Sequence, residues 1–125
     1  MTAIRRHNDL LAWQKAMDLV EQVYRLTKYF PKEEIYALTA QLRRSAVSVP
    51  SNIAEGHGRS GRREFAHHLS IALGSLAECE TQMQIAQRLG YLSEAFMNDF
   101  LVLSSETGRI MVGLMNSLEK HARAS

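Results

Sequence analysis

The sequence predicts an all-α chain folded as an antiparallel, up-down four-helix bundle. Three observations carry that reading. Four long stretches place apolar residues three and four apart, the spacing of one face of an α-helix. Only two prolines interrupt the 125 residues, and runs of β-branched residues are absent, which favours helix over strand. Hydrophobic residues make up 46% and charged residues 22%, a globular composition with enough apolar material for one core in one domain spanning residues 1–125.

Met1 to His7 reads as a loose N-terminal arm, with Asn8 or Asp9 available to cap a first helix. That helix carries a stripe of Leu10, Trp13, Met17, Val20, Tyr24 and Thr27, read as its core face. A second row, Ala12, Ala16, Leu19, Val23, Leu26 and Phe30, lies beside it. Trp13 on such a stripe is a core anchor. Phe30-Pro31 ends the helix, because the residue before proline avoids the α region. Pro31, Glu33 and Glu34 then suit the first turn of the next helix.

The second helix carries Leu38, Leu42, Ala46, Val49 and Ile53, with Ile35 one turn earlier and a side row of Tyr36, Ala40, Val47 and Ala54. Pro50 lacks a donor N–H and clashes with the carbonyl four residues back, yet the stripe keeps phase across it. One kinked helix, with Ser48, Ser51 and Asn52 bonding the freed backbone, fits this pattern. So do two helices with a corner at Pro50. Gly56, Gly58 and Gly61 are read as its end. Ser60 is a plausible cap for a third helix, Arg62 to Leu89, with a stripe of Phe65, Leu69, Ala72, Leu76, Cys79 and Met83. Glu80 lies only ~40° from Leu76 on a helical wheel, so its carboxylate wants a partner, and Arg43 or Arg44 is available. Gly90 is a stop signal, and Ser93 caps a fourth helix from Glu94 to about His121. Its core stripe is Phe96, Phe100, Leu103, Thr107, Ile110, Leu114 and Leu118. A second stripe, Met97, Leu101, Ser104, Gly108, Met111 and Met115, exceeds what one bundle helix needs. Such a surplus means either a broader internal contact or an interface between copies of the chain, and the interface is the reading preferred here.

The net charge is only +2, but it is unevenly spread. Residues 41–68 hold five basic and two acidic groups and three of the five histidines, whereas residues 69–125 hold four basic and six acidic groups. Arg43, Arg44, Arg59, Arg62 and Arg63 therefore form a candidate patch for an acidic partner such as RNA or DNA. No apolar run reaches the ~20 residues of a membrane span. The N-terminus has no apolar core after its basic residues, so it is not read as a secretory signal. The one cysteine, Cys79, fits a reducing cytoplasm and reads as a small buried hydrophobe rather than a nucleophile.

Other chemistries find little support. GHGRSG at residues 56–61 lacks the Lys and Ser/Thr of a phosphate-binding loop. A di-iron bundle needs two Glu-x-x-His pairs, and Glu64/His67 is one pair without a second. No catalytic, cofactor-binding or metal-binding residues are assigned, and enzymatic activity is not expected.

Several runs are specific enough to compare with a known family. They are Trp13-x-Lys15-Ala16, Phe30-Pro31, Tyr36-x-Leu38-Thr39-x-Gln41-Leu42-Arg43-Arg44-Ser45, Ser48-Val49-Pro50-x-Asn52-Ile53-Ala54-Glu55-Gly56, Phe65-x-x-x-Leu69-x-x-Ala72-x-Gly74-Ser75-Leu76-x-Glu78 and Leu89-Gly90-Tyr91. Together they resemble the four-helix-bundle proteins encoded in intervening sequences of large-subunit ribosomal RNA genes. They are also similar to the accessory proteins of diversity-generating retroelements. The resemblance implies an antiparallel bundle assembling as a ring-like homopentamer. In the retroelement relatives it also implies binding of nucleic acid and of a reverse transcriptase. Two function classes remain: a nucleic-acid-binding accessory module, and a protein-interaction scaffold with no nucleic-acid partner.

Overall fold

The computed structural model describes residues 6–124, with side chains as far as residue 120. The first five residues of the expected N-terminal arm lie outside the described residues. Four helices and no strands are present among those described: α1 (Leu11–Thr27), α2 (Leu38–Gly58), α3 (Arg62–Arg88) and α4 (Glu94–Ala124). Short 3-10 turns at His7–Asp9 and Lys32–Glu34 precede α1 and α2. Each helix packs against two others, in the cyclic order α1, α2, α3, α4 and back to α1. Short connections make successive helices antiparallel, so one closed core runs down the middle of the bundle.

The buried face of α1 is centred on the second of its two expected rows, with Leu10 and Thr27 of the first row also buried. Ala12, Ala16, Leu19, Val23, Leu26 and Phe30 are buried, whereas Met17 and Tyr24 are 36% and 39% exposed. The reason is steric. Alanines at two successive turns let neighbouring backbones approach closely, so the row with small residues faces the core. The bulkier Trp13, Met17, Val20 and Tyr24 row is rotated toward the groove with α2. Trp13 is half-buried under the edge of His7, with ring centroids 5.1 Å apart. The N-cap of α1 is Leu10, not Asn8 or Asp9, and it makes no side-chain cap bond.

The second helix begins at Leu38, two residues after Tyr36, which is 95% exposed; Ile35 is 52% exposed. Pro31 instead opens the separate Lys32–Glu34 turn. Pro50 does not divide α2, which runs unbroken to Gly58. Around it, Ser51 Oγ donates to the Val47 carbonyl at 2.8 Å and Asn52 Nδ2 to the Ser48 carbonyl at 2.9 Å. These side chains reinforce the ladder next to the proline. Gly56 does not end the helix. It is buried, and a Cβ there would lie 2.6 Å from His68 Cβ and 3.1 Å from Phe65 Cδ1. Glycine is needed because α2 and α3 touch at this point. Further along the same seam, Ser48 Oγ meets Ser75 Oγ at 2.8 Å and Ser45 Oγ donates to Gln82 Oε1 at 2.8 Å.

On α3, Leu69, Ala72, Leu76, Cys79 and Met83 are buried as the stripe predicts. A hydrogen-bonded reversal closes the helix, with Gly90 N–H on the Gln87 carbonyl and Tyr91 N–H on the Ala86 carbonyl. Ser93 Oγ accepts the Phe96 N–H and caps α4. On α4 the buried row is Met97, Phe100, Ser104, Thr107 and Met111, which runs between the two expected stripes; Phe96 is 51% exposed. Thr107 satisfies its hydroxyl on the Leu103 carbonyl, and Ser104 donates to Glu80. Two polar residues can thus sit in the core, because each is hydrogen-bonded, Thr107 within α4 and Ser104 across to α3.

Replacing Gly56 with Ala is expected to destabilise the fold by roughly 1–3 kcal/mol, since the added methyl forces α2 and α3 apart. A urea unfolding curve with an unchanged midpoint would contradict the close-approach account.

Candidate nucleic-acid interface

The five candidate arginines do not form one patch. Arg43 and Arg44 sit near the start of α2, whereas Arg59, Arg62 and Arg63 surround the α2–α3 turn at its far end. Sixteen residues of helix put the two groups about 24 Å apart. Arg43 is partly consumed by the fold. Its guanidinium carbon lies 4.6 Å from the centre of the Tyr24 ring, and Nε donates to Thr27 Oγ1 at 2.9 Å. Thr27 in turn bonds the Val23 carbonyl at 2.8 Å. Arg43 is therefore a clasp between α1 and α2 and not the partner of Glu80, which bonds Ser104 instead. Arg44 is exposed.

The turn has its own logic. Arg59 pairs with Glu55 one helical turn back, Nη2 to Oε1 at 3.0 Å. This hydrogen bond, with a smaller contribution from His68, holds the Glu55 carboxyl below its usual range. Gly61, not Ser60, is the N-cap of α3, with φ of +112° and no side-chain cap bond. Only glycine takes that φ readily. Arg62 and Arg63 follow in the first helical turn, both exposed and neither ion-paired among the described residues. A helix N-terminus carries a partial positive charge, so two cations there repel it. The same field favours an anion docked against the turn. His57 lies edge-on to Phe65, centroids 5.6 Å apart, and His68 Nδ1 is 3.3 Å from Asn52 Oδ1.

The expected interface residues on α4 are also divided. Met97, Ser104 and Met111 are buried in the chain's own core, so they cannot face a second copy. They cover α1–α3 because α4 presents the row between its two apolar stripes. Leu101, Gly108 and Met115 are half-buried. Exposed apolar surface collects in two grooves, the second of which takes in Ser104 and Gly108 of that stripe. One groove of about 330 Å³ runs between α1 and α2, lined by Trp13, Met17, Val20, Val47, Pro50, Ser51 and Ala54. A shallow cleft of about 500 Å³ lies on the opposite α3/α4 face, with Leu73, Leu76, Gly108 and Val112 beside Glu80 and Arg109. The first is hidden in the sequence because Trp13 and Met17 read as core. The signal that could have revealed it is the competing Ala12/Ala16 row.

Among the described residues no three His, Cys, Asp or Glu side chains gather within metal-binding range. No helix among them is long and apolar enough to cross a membrane.

Comparison with known proteins gives the chain a family. The family model for the 23S rRNA-intervening sequence protein matches residues 8–113. The chain belongs to that family. A solved structure of similar fold comes from Bacteroides thetaiotaomicron VPI-5482 and is described as a protein of unknown function from the S23 ribosomal protein family. It is 21% identical, covers 85% of this chain and 96% of its own, and superposes with a TM-score of 0.78. No curated protein matches. The family match spans all of α1–α3, including the Arg59–Arg63 turn, and α4 as far as Gly113.

Cys79 sits deep in α3 and is fully buried; burial pushes its thiol up to about 12. Only the thiolate is nucleophilic. Cys79 should not react with a disulfide reagent at about pH 8 in the folded protein and should react fully once unfolded. Rapid reaction in the native state would show that α3 opens readily from the core.

Proposed function

We propose that this member of the intervening-sequence family is a non-enzymatic, cytoplasmic bundle that binds RNA or DNA duplexes through the Arg59–Arg63 end. The observation that carries the reading is the pair Arg62 and Arg63, exposed and free of ion pairs among the described residues, at the uncapped start of α3. Two cations at a helix start are locally unfavourable, and an external phosphate relieves both that repulsion and the unsatisfied N–H groups. The family name supports an RNA-related setting. Phe65 beside the turn is held by His57 and the core, so bases find no free aromatic platform there. The contact is therefore to phosphates and independent of sequence. Arg43 is a structural residue in this reading, and Arg44 is too far along α2 to join the turn.

The second element of the proposal is self-assembly as a ring of five. The exposed groove between α1 and α2, with Met17 at 36% and Val47 at 39% exposure, supports it. The apolar α3/α4 cleft lies on the opposite side of the same bundle. Two different faces on opposite sides suit a head-to-tail contact, the kind that closes into a ring. A ring would repeat the basic end once per subunit and multiply a weak patch. In this reading the interface takes in Met17, Val47, Gly108, Val112 and their neighbours, with Leu101 and Met115 at its margin.

For nucleic acid, binding to a mixed-sequence RNA duplex is expected to weaken steeply with salt. Changing Arg59, Arg62 and Arg63 together to Ala should lower the salt slope by about one per arginine lost. An unchanged affinity and slope in the triple variant would reduce the turn to a solvated surface. For assembly, light scattering on the wild type should give a multiple of 14.1 kDa, and M17D/V47D should shift it toward one subunit. A wild-type mass of one subunit at micromolar concentration would rule the ring out.

A further inference from the structure

Three of the five histidines gather at the basic end. His57 is in the last turn of α2, and His67 and His68 are in the second turn of α3 with ring centroids 5.8 Å apart. His67 is exposed, and His57 and His68 are half-buried. The hydrogen bonds around His68 fix which of its nitrogens is free. Asn52 donates its amide to the Ser48 carbonyl at 2.9 Å and to Ser48 Oγ at 3.0 Å, so its Oδ1 must accept from His68 Nδ1 at 3.3 Å. Nδ1 then carries the proton of the neutral ring, and Nε2 is the nitrogen left to take a second one. Protonation there keeps the Asn52 bond intact, so the α2–α3 seam survives it.

Among the described residues, the fixed charges at this end leave a small basic excess. Three arginines of the turn face two glutamates, Glu55 and Glu64, with Glu55 tied to Arg59. The 3-10 turn packed on α2 adds Arg6, His7 and Asp9. α1 brings Lys15, paired with Glu106 of α4. The register of α4 on α3, set by Ser104 on Glu80 and Gly108 against Leu76, brings Glu119 and Lys120 to the level of the α3 start. Each further cation at this end adds to that excess.

We infer that the His57, His67 and His68 cluster makes nucleic-acid binding at this end pH-dependent, tightening as the pH falls. The inference rests on the nucleic-acid reading above. Its sign follows from charge: each imidazolium adds one cation able to neutralise a phosphate and release a counterion.

The test is fluorescence anisotropy of the full chain with a mixed-sequence RNA duplex, as a salt titration at about pH 7.5 and about pH 6.0, within the imidazole range. The readout is the ratio of affinities at the two pH values for each protein. Wild type is expected to bind about tenfold tighter at the lower pH, with a steeper salt slope. The double variant H57Q/H67Q should lose most of that ratio, and adding H68Q should remove nearly all of it. Helicity measured at both pH values identifies any variant that fails to fold, and the double variant avoids the seam contact of His68. A pH-independent wild-type affinity, or a ratio kept in the double and triple variants, overturns the inference and leaves the Arg59–Arg63 reading standing. No binding at either pH, even at low salt, overturns both.

Discussion

Gly56 lets α2 and α3 meet with nothing between them but the Cβ of His68 and the ring of Phe65. The rest of the bundle depends on that approach. It closes the seam at the turn end, and from there the two helices run side by side through Asn52–His68, Ser48–Ser75 and Ser45–Gln82. Small residues and short polar groups alternate along this seam, whereas the other helix pairs are held mostly by apolar packing. Directional bonds fix the register in a way that a purely apolar seam would not, because each hydroxyl or amide left unpaired inside the bundle would cost about 1–3 kcal/mol. A slip by one turn would orphan all three pairs at once.

Pro50 belongs to the same arrangement. It sits buried in α2, next to the seam rather than on it, with Ser51 and Asn52 bonding the carbonyls of Val47 and Ser48. Asn52 therefore has two tasks. It supports the backbone beside the proline and presents its oxygen to His68 across the seam. A defect in one helix is thus coupled to the helix–helix contact. That coupling explains why Ser48, Pro50, Asn52 and Gly56 occur as one compact run in the sequence.

Much of this is legible in the sequence alone. The four helices, the cap at Ser93, the stop at Gly90 and the α3 stripe follow from spacing and local backbone chemistry, which depend on near neighbours only. Which side of α1 and α4 faces inward does not. Both helices carry two adjacent apolar rows, and a wheel cannot rank them. The choice is made by partners: Ala12 and Ala16 permit a close neighbour on α1, and Ser104 finds Glu80 on α3. The same limit applies to the candidate arginines. Their closeness in sequence spans a whole helix length, so the five separate into a clasp on Tyr24 and Thr27, a lone surface residue and a turn.

The turn itself departs from what stability alone would select. A helix start is favoured by an Asp, Ser or Thr cap and by acidic residues in the first turn. Here the cap is a glycine, the next two residues are arginines, and Glu64 is the one acid of the first turn. The adjacent acid that could offset them, Glu55, is already bonded to Arg59. At the opposite end, Tyr91 hydroxyl donates to Glu34 and Ser93 caps α4, while α2 starts at Ala37 without a side-chain cap. The contrast separates the two ends of one bundle. The turn end holds the exposed Arg62 and Arg63 at the uncapped start of α3, at a cost to the helix. Such a cost is offset when an anion arrives from outside, and among common cellular partners a phosphate backbone matches both the charge and the hydrogen-bond donors on offer.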